Sequence, residues 1–130
     1  MPYRPYADSD FYRNEFRGDL IPEALLEKAL FEASRHIDAL TYNRIVGRGF
    51  SRLTPFQQDV IREVVCRQAE FEYENEELLN SVLSGYSING VSMSMTTGWN
   101  VHTDKGVAMT KETYILLQQT GLTCGVIRGY

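Results

Sequence analysis

The sequence predicts a mainly α protein, a small helical bundle of three to four helices with an inserted β-hairpin. Three observations predict it. Residues 22–40 carry apolar side chains at helical spacing, residues 54–57 read as a helix-opening capping box, and Asn89-Gly90 stands between two alternating runs. At 130 residues the chain is read as one domain, 1–130. A chain of this size buries roughly two-thirds of its unfolded surface, so one modest core suffices.

From the N-terminus, Asp8-Ser9-Asp10 followed by FYRNEF predicts a short capped helix that ends near Gly18. Pro22 suits the first turn of a longer helix. Within it Leu26, Leu30, Ala33, Ile37 and Leu40 form one apolar stripe, with Glu23, Glu27, Lys28 and Glu32 on the wet side. Thr41 to Arg52 contains Asn43, Gly47 and Gly49 and reads as a loop, which also holds Arg44, Arg48 and Arg52. Thr54 then opens the second long helix: threonine caps, Pro55 fits the first turn, and Gln57 completes a Thr-x-x-Gln capping box. Val60, Ile61, Val64, Gln68 and Phe71 follow at helical spacing, and the helix is expected to run to about Leu79.

The stretch YSINGVSMSM, Tyr86 to Met95, carries the hairpin, placed at about 84–96. A two-residue Asn-Gly turn pairs Ile88 with Val91, Ser87 with Ser92 and Tyr86 with Met93. That register sorts every apolar member onto one face and the serines onto the other. TTGWNVHTDKGV reads as an extended loop with room for a weak strand pair around Thr103–Gly106. Thr110 caps a last helix, KETYILLQQT, closed at Gly121, with Leu122 placed to touch Leu117 as in a Schellman ending. A short extended tail completes the chain over 122–130.

The net charge of −4 is unevenly spread. Residues 1–53 balance eight basic against eight acidic side chains, residues 54–83 carry a net −5, and residues 84–130 a net +1. No basic face of the kind that grips nucleic acid stands out. No apolar run approaches the roughly 20 residues of a membrane span, and MPYRPYADSD has no apolar core of a secretory signal. Cys66 and Cys124 form neither a CxxC pair nor a disulfide framework, which suggests a reducing, cytoplasmic setting.

Candidate chemistry is sparse. His36 and His102 lack the further ligands a metal site needs and read as structural or surface histidines. Glu70, Glu74 and Glu77 share one face of the second long helix. They read as a solvated stripe or an acidic docking surface, in preference to a catalytic pair, which needs carboxylates in different environments around one pocket. Cys66 is expected to be a small buried hydrophobe, because it shows neither a helix N-terminus nor a basic cluster to lower its pKa. No serine elbow, phosphate loop or dinucleotide fingerprint is present in the sequence, so no catalytic, cofactor or metal residue is assigned. LTPFQQDVIREVV resembles the opening helix of a small helix-turn-helix DNA-binding regulator, the alternative reading. It requires a turn and a basic recognition helix next, whereas CRQAEFEYENEELL follows.

Taken in order, YADSDFYRNEF, IPEALLEKALFEASRHIDALTYNRI, the second long helix, SGYSINGVSMSM and TYILLQQTGLTCGVIRG resemble the head–tail connector (adaptor) proteins of tailed bacteriophages and prophages. The resemblance implies a structural virion protein, not an enzyme, assembled in the bacterial host cytoplasm. It would dock as a homo-oligomeric ring on the portal protein, extend the DNA channel and join a neighbouring connector or tail protein. DNA would only pass through, without sequence-specific contact, and an acidic channel-facing surface, carried over onto Glu70, Glu74 and Glu77, would let it slide. The family's projecting hairpin and C-terminal segment carry over as subunit or portal contacts onto Tyr86, Ile88, Val91 and Met93, and onto Val126, Ile127, Arg128 and Tyr130. A lone two-stranded hairpin is marginal in water. Its apolar face is expected to pack on its own helices, on a neighbouring subunit, or by edge pairing with a partner's sheet.

Overall fold

The computed structural model describes residues 4–76, 101–104 and 107–123. The hairpin expected over 84–96 and the tail from residue 124 lie outside the described residues. Within them the chain is a small, mainly helical bundle. Its elements are α1 (Glu23–Leu40), α2 (Arg44–Arg48), α3 (Pro55–Glu74), the strands β1 (Val101–Asp104) and β2 (Val107–Thr110), and α4 (Lys111–Gln118).

Ahead of α1, Phe11–Glu15 forms a π-helical turn, with the Phe16 amide donating to the Phe11 carbonyl. Asp8, not Asp10, caps it, accepting from the Phe11 amide at 2.8 Å. The left-handed residue at its end is Arg17 (φ 62°), and Gly18 serves another purpose. Gly18 lies against the Tyr12 ring so closely that an added Cβ would overlap it. Tyr12 is fully buried, and its hydroxyl is a junction. It accepts from the Leu20 and Ile21 amides and donates to Glu70 Oε2 at 2.7 Å, tying the N-terminal segment to α3.

α1 buries the whole expected stripe, Leu26, Leu30, Ala33, Ile37 and Leu40, each at most 2% exposed. Its principal partner is α3. The capping box at Thr54 forms as expected: Thr54 Oγ1 accepts from the Gln57 amide and Gln57 Oε1 from the Thr54 amide. α3 buries Val60, Ile61, Val64, Gln68 and Phe71, and also Val65, Cys66 and Ala69 on a second side. It is therefore the central helix, enclosed by α1 on one side and by α4 and β2 on the other. It ends at Glu74 with Asn75 as its cap, where the Asn75 side chain folds back to donate to the Phe71 carbonyl; of the stretch expected to continue to about Leu79, residues 77–79 lie outside the described residues. α3 runs unbroken through CRQAEFEYE, so the turn that a helix-turn-helix would need after LTPFQQDVIREVV is not there.

One reading of irregular chain is corrected. Thr41–Arg52 is not a loop throughout: it holds α2 and a 3-10 turn at Phe50–Arg52. Tyr42 (φ 59°) and Asn43 (φ 58°) reverse the chain in the left-handed region, and Ile45 is buried, which pins α2 to the core. The strand pair that the loop after Trp99 had room for is present, and it is longer than expected: Val101 lies opposite Thr110 through Asp104 opposite Val107, antiparallel. β2 buries Val107, Ala108 and Met109 in succession, so neither face alternates with solvent and no period-2 signal shows. At the start of α4, Thr110 caps by accepting from the Thr113 amide, and after its end Gly121 (φ 77°) turns the chain as expected. Leu117 and Leu122 both join the core, and the Gly121 amide donates to the Gln118 carbonyl, one of the two bonds of a Schellman ending; the other is replaced. The Leu122 amide donates to Thr120 Oγ1.

Candidate functional site

The reversal at Tyr42-Asn43 sets Arg44 and Arg48 four residues apart on α2, one turn above the other on one side. That side faces the end of α4. Arg44 donates through Nη1 to the Leu122 carbonyl at 3.1 Å, and its guanidinium lies 4.9 Å from the centroid of the Tyr42 ring. Gln57 does two jobs: its Oε1 closes the capping box and its Nε2 donates to the Thr120 carbonyl at 2.9 Å. These two bonds hold α2, the start of α3 and the turn after α4 around a cleft of about 370 Å³.

Among the described residues the cleft's lining holds two arginines and no carboxylate. Gly47 and Gly121 also line it, and a Cβ at either would meet nothing within 4 Å, which leaves bare backbone open to the cleft. Arg48 is exposed and has no partner among the described residues. Arg44 keeps guanidinium N–H groups beyond the one given to Leu122. The arrangement suits an anionic group held by charge and N–H donors. Sequence reasoning noted the three arginines of 44–52 without joining them to Gln57 or to residues 120–122. The regular spacing of Arg44, Arg48 and Arg52 was the available signal.

Of the residues singled out in the sequence, Tyr86, Ile88, Val91, Met93, Val126, Ile127, Arg128, Tyr130 and Glu77 lie outside the described residues. The side chain of His102 does as well. Glu70 is not part of a solvated stripe: it is half-buried and occupied by the Tyr12 hydroxyl. Glu74 is exposed. Burial pushes the Tyr12 hydroxyl up to about 12, opposed by the amide bonds from Ile21 and Leu20 and aided by the Glu70 carboxylate. Cys66 is a buried free thiol, as expected, and burial pushes it up to about 12, with nearby Glu70, Glu63 and Asp8 adding to the rise. Such a thiol is a poor nucleophile at neutral pH. Among the described residues no group of three or more His, Cys, Asp or Glu is placed to hold a metal ion. No described helix is long and apolar enough to cross a membrane.

His36 is structural in a specific way. Its Nδ1 lies 2.5 Å from Glu72 Oε2, joining α1 to α3. The same oxygen accepts from Gln68 Nε2, which also donates to the Ala108 carbonyl of β2. The hydrogen bond to Glu72 raises the His36 pKa above its ordinary 6.5; burial opposes this, and the charges of Glu72 and Glu32 add to it. A raised histidine pKa stabilises the fold fully below the unfolded value of 6.5, and that contribution is lost as pH rises through the folded value. Stability should therefore fall as pH is raised from 6 through neutrality. His36→Gln should flatten that slope, as read from urea midpoints across pH. An unchanged slope would show that the pair carries no linkage.

No family model, no curated protein and no solved structure matches this chain.

Proposed function

We propose that this chain is a structural head–tail connector of a tailed bacteriophage or prophage. It would dock as a homo-oligomeric ring on the portal protein and join the head to a neighbouring connector or tail protein, with DNA passing through the ring. The order of its elements carries the reading. A short N-terminal helical segment, two long helices packed on each other, and a short last helix leading into the tail follow one another where the resembling segments lie. The hairpin and tail supply subunit or portal contacts through Ile88 and Val91 and through Val126 and Ile127.

The test is to disrupt the gene in its resident phage or prophage, induce, and image the particles by negative-stain electron microscopy. Tail-less heads beside free tails are the expected result; normal virions would overturn the reading. A finer test replaces Ile88 and Val91 together with Asp. Assembly onto the head should be abolished while far-UV circular dichroism of the purified chain stays unchanged. Assembly at the normal level would remove the hairpin from the contact surface.

A further inference from the structure

We infer that the cleft between α2 and the turn after α4 receives the acidic end of α3 from a second copy of this chain. The inference rests on the ring reading above and supplies a pair of surfaces for it. The cleft is one surface, and the end of α3 is the other. Glu74 and Glu76 there are exposed and have no partner among the described residues, and Glu77 follows in the sequence. Among the described residues the cleft presents Arg48 without a partner and Arg44 with N–H groups to spare, and no carboxylate answers them within the cleft. Its volume of about 370 Å³ is at the small end of the roughly 300–1,000 Å³ of ligand sites. A single side-chain carboxylate with its stem fits such a space, and the open backbone at Gly47 and Gly121 permits close approach.

Placement favours a second copy over the chain's own carboxylates. Gln57 lines the cleft near the start of α3, and Glu74 ends the same helix 17 residues later, about 25 Å along its axis. A rigid helix cannot bring its two ends together, so the acidic end reaches a cleft only on another molecule. Two different patches at opposite ends of one helix give a head-to-tail contact, which closes as a ring or continues as a filament. Nucleic-acid phosphates are the rival anion. A side-chain carboxylate occupies the cleft alone, whereas an extended phosphate backbone laid along α3 would also meet the carboxylates that give residues 54–83 their net −5, which favours the acidic partner.

The experiment is sedimentation of the full chain at millimolar concentration in low and high salt. The wild-type chain should associate in low salt and dissociate in high salt. Arg48→Glu, at a residue that holds nothing else in place, should weaken association about tenfold or more, and Glu74→Lys with Glu76→Lys should do the same. Each variant retains one intact patch and the two reversed patches complement each other, so an equimolar mixture should associate although neither variant does so alone. A chain carrying all three changes should associate again. A wild-type chain that stays monomeric in low salt would overturn the proposal, as would variants that associate like wild type. The second outcome leaves the connector reading standing and moves its contacts elsewhere. Loss of salt-sensitive retention on duplex DNA by Arg48→Glu, with association unchanged, would make the cleft a phosphate site and also overturn it.

Discussion

Gly18→Ala should destabilise the chain by about 1–3 kcal/mol, the range for forcing an extra methyl into a packed site. The reason is local and specific. The new Cβ would overlap Cε1 and Cζ of Tyr12 and sit 2.8 Å from its hydroxyl oxygen. The ring is fully buried and cannot swing into solvent. Its hydroxyl is fixed by the Leu20 and Ile21 amides and by Glu70, so any shift that relieves the clash also stretches those bonds. Urea denaturation gives the measurement. Tyr12→Phe separates the two contributions: it keeps the ring, removes the hydroxyl, and leaves three groups without their partner, at a cost of about 1–3 kcal/mol. If Gly18→Ala unfolds at the wild-type midpoint, the close approach of backbone and ring is not what holds this segment.

Ile61→Ala should be the costliest single truncation, at about 2–5 kcal/mol. Ile61 is fully buried in the central helix, among side chains that cannot collapse into the space without moving α1 or α4. Leu25→Ala is the control. Leu25 is 48% exposed on α1, off the buried stripe, and its truncation should fall within about 0.5 kcal/mol of wild type. Thermal or urea unfolding of both variants decides the matter. Similar losses at the two positions would mean that the core is not centred on α3.

Much of this fold is legible in the sequence because the signals there are local. The Leu26–Leu40 stripe and the Thr54–Gln57 box each lie within one helix, and both form as read. What escaped reading depends on residues far apart. Nothing within DFYRNEF shows that Tyr12 binds Glu70, 58 residues on, so Glu70 reads from its own helix as a wet carboxylate. Arg44 and Arg48 read as loop residues because only the turn at 120–122, from the other end of the chain and tied to Arg44 and Gln57, makes them a cleft wall. β2 was obscured for a different reason: buried on both faces, it offers no alternation to read.

The Tyr12 junction also bears on the order of events during synthesis. The N-terminal segment leaves the ribosome first, yet the partner of its tyrosine is residue 70, so the segment has to wait for most of α3 before it can dock. Closing so long a loop is an entropic cost that local helix formation does not incur. Docking of this strap should therefore come after α1 and α3 have met. Contacts made after the rate-limiting step alter the unfolding rate far more than the folding rate. Gly18→Ala should shorten the lifetime of the folded state and leave refolding close to its original speed, which the two limbs of a stopped-flow chevron would separate. The strap would then act on how long the finished subunit persists, with little influence on how quickly it is made.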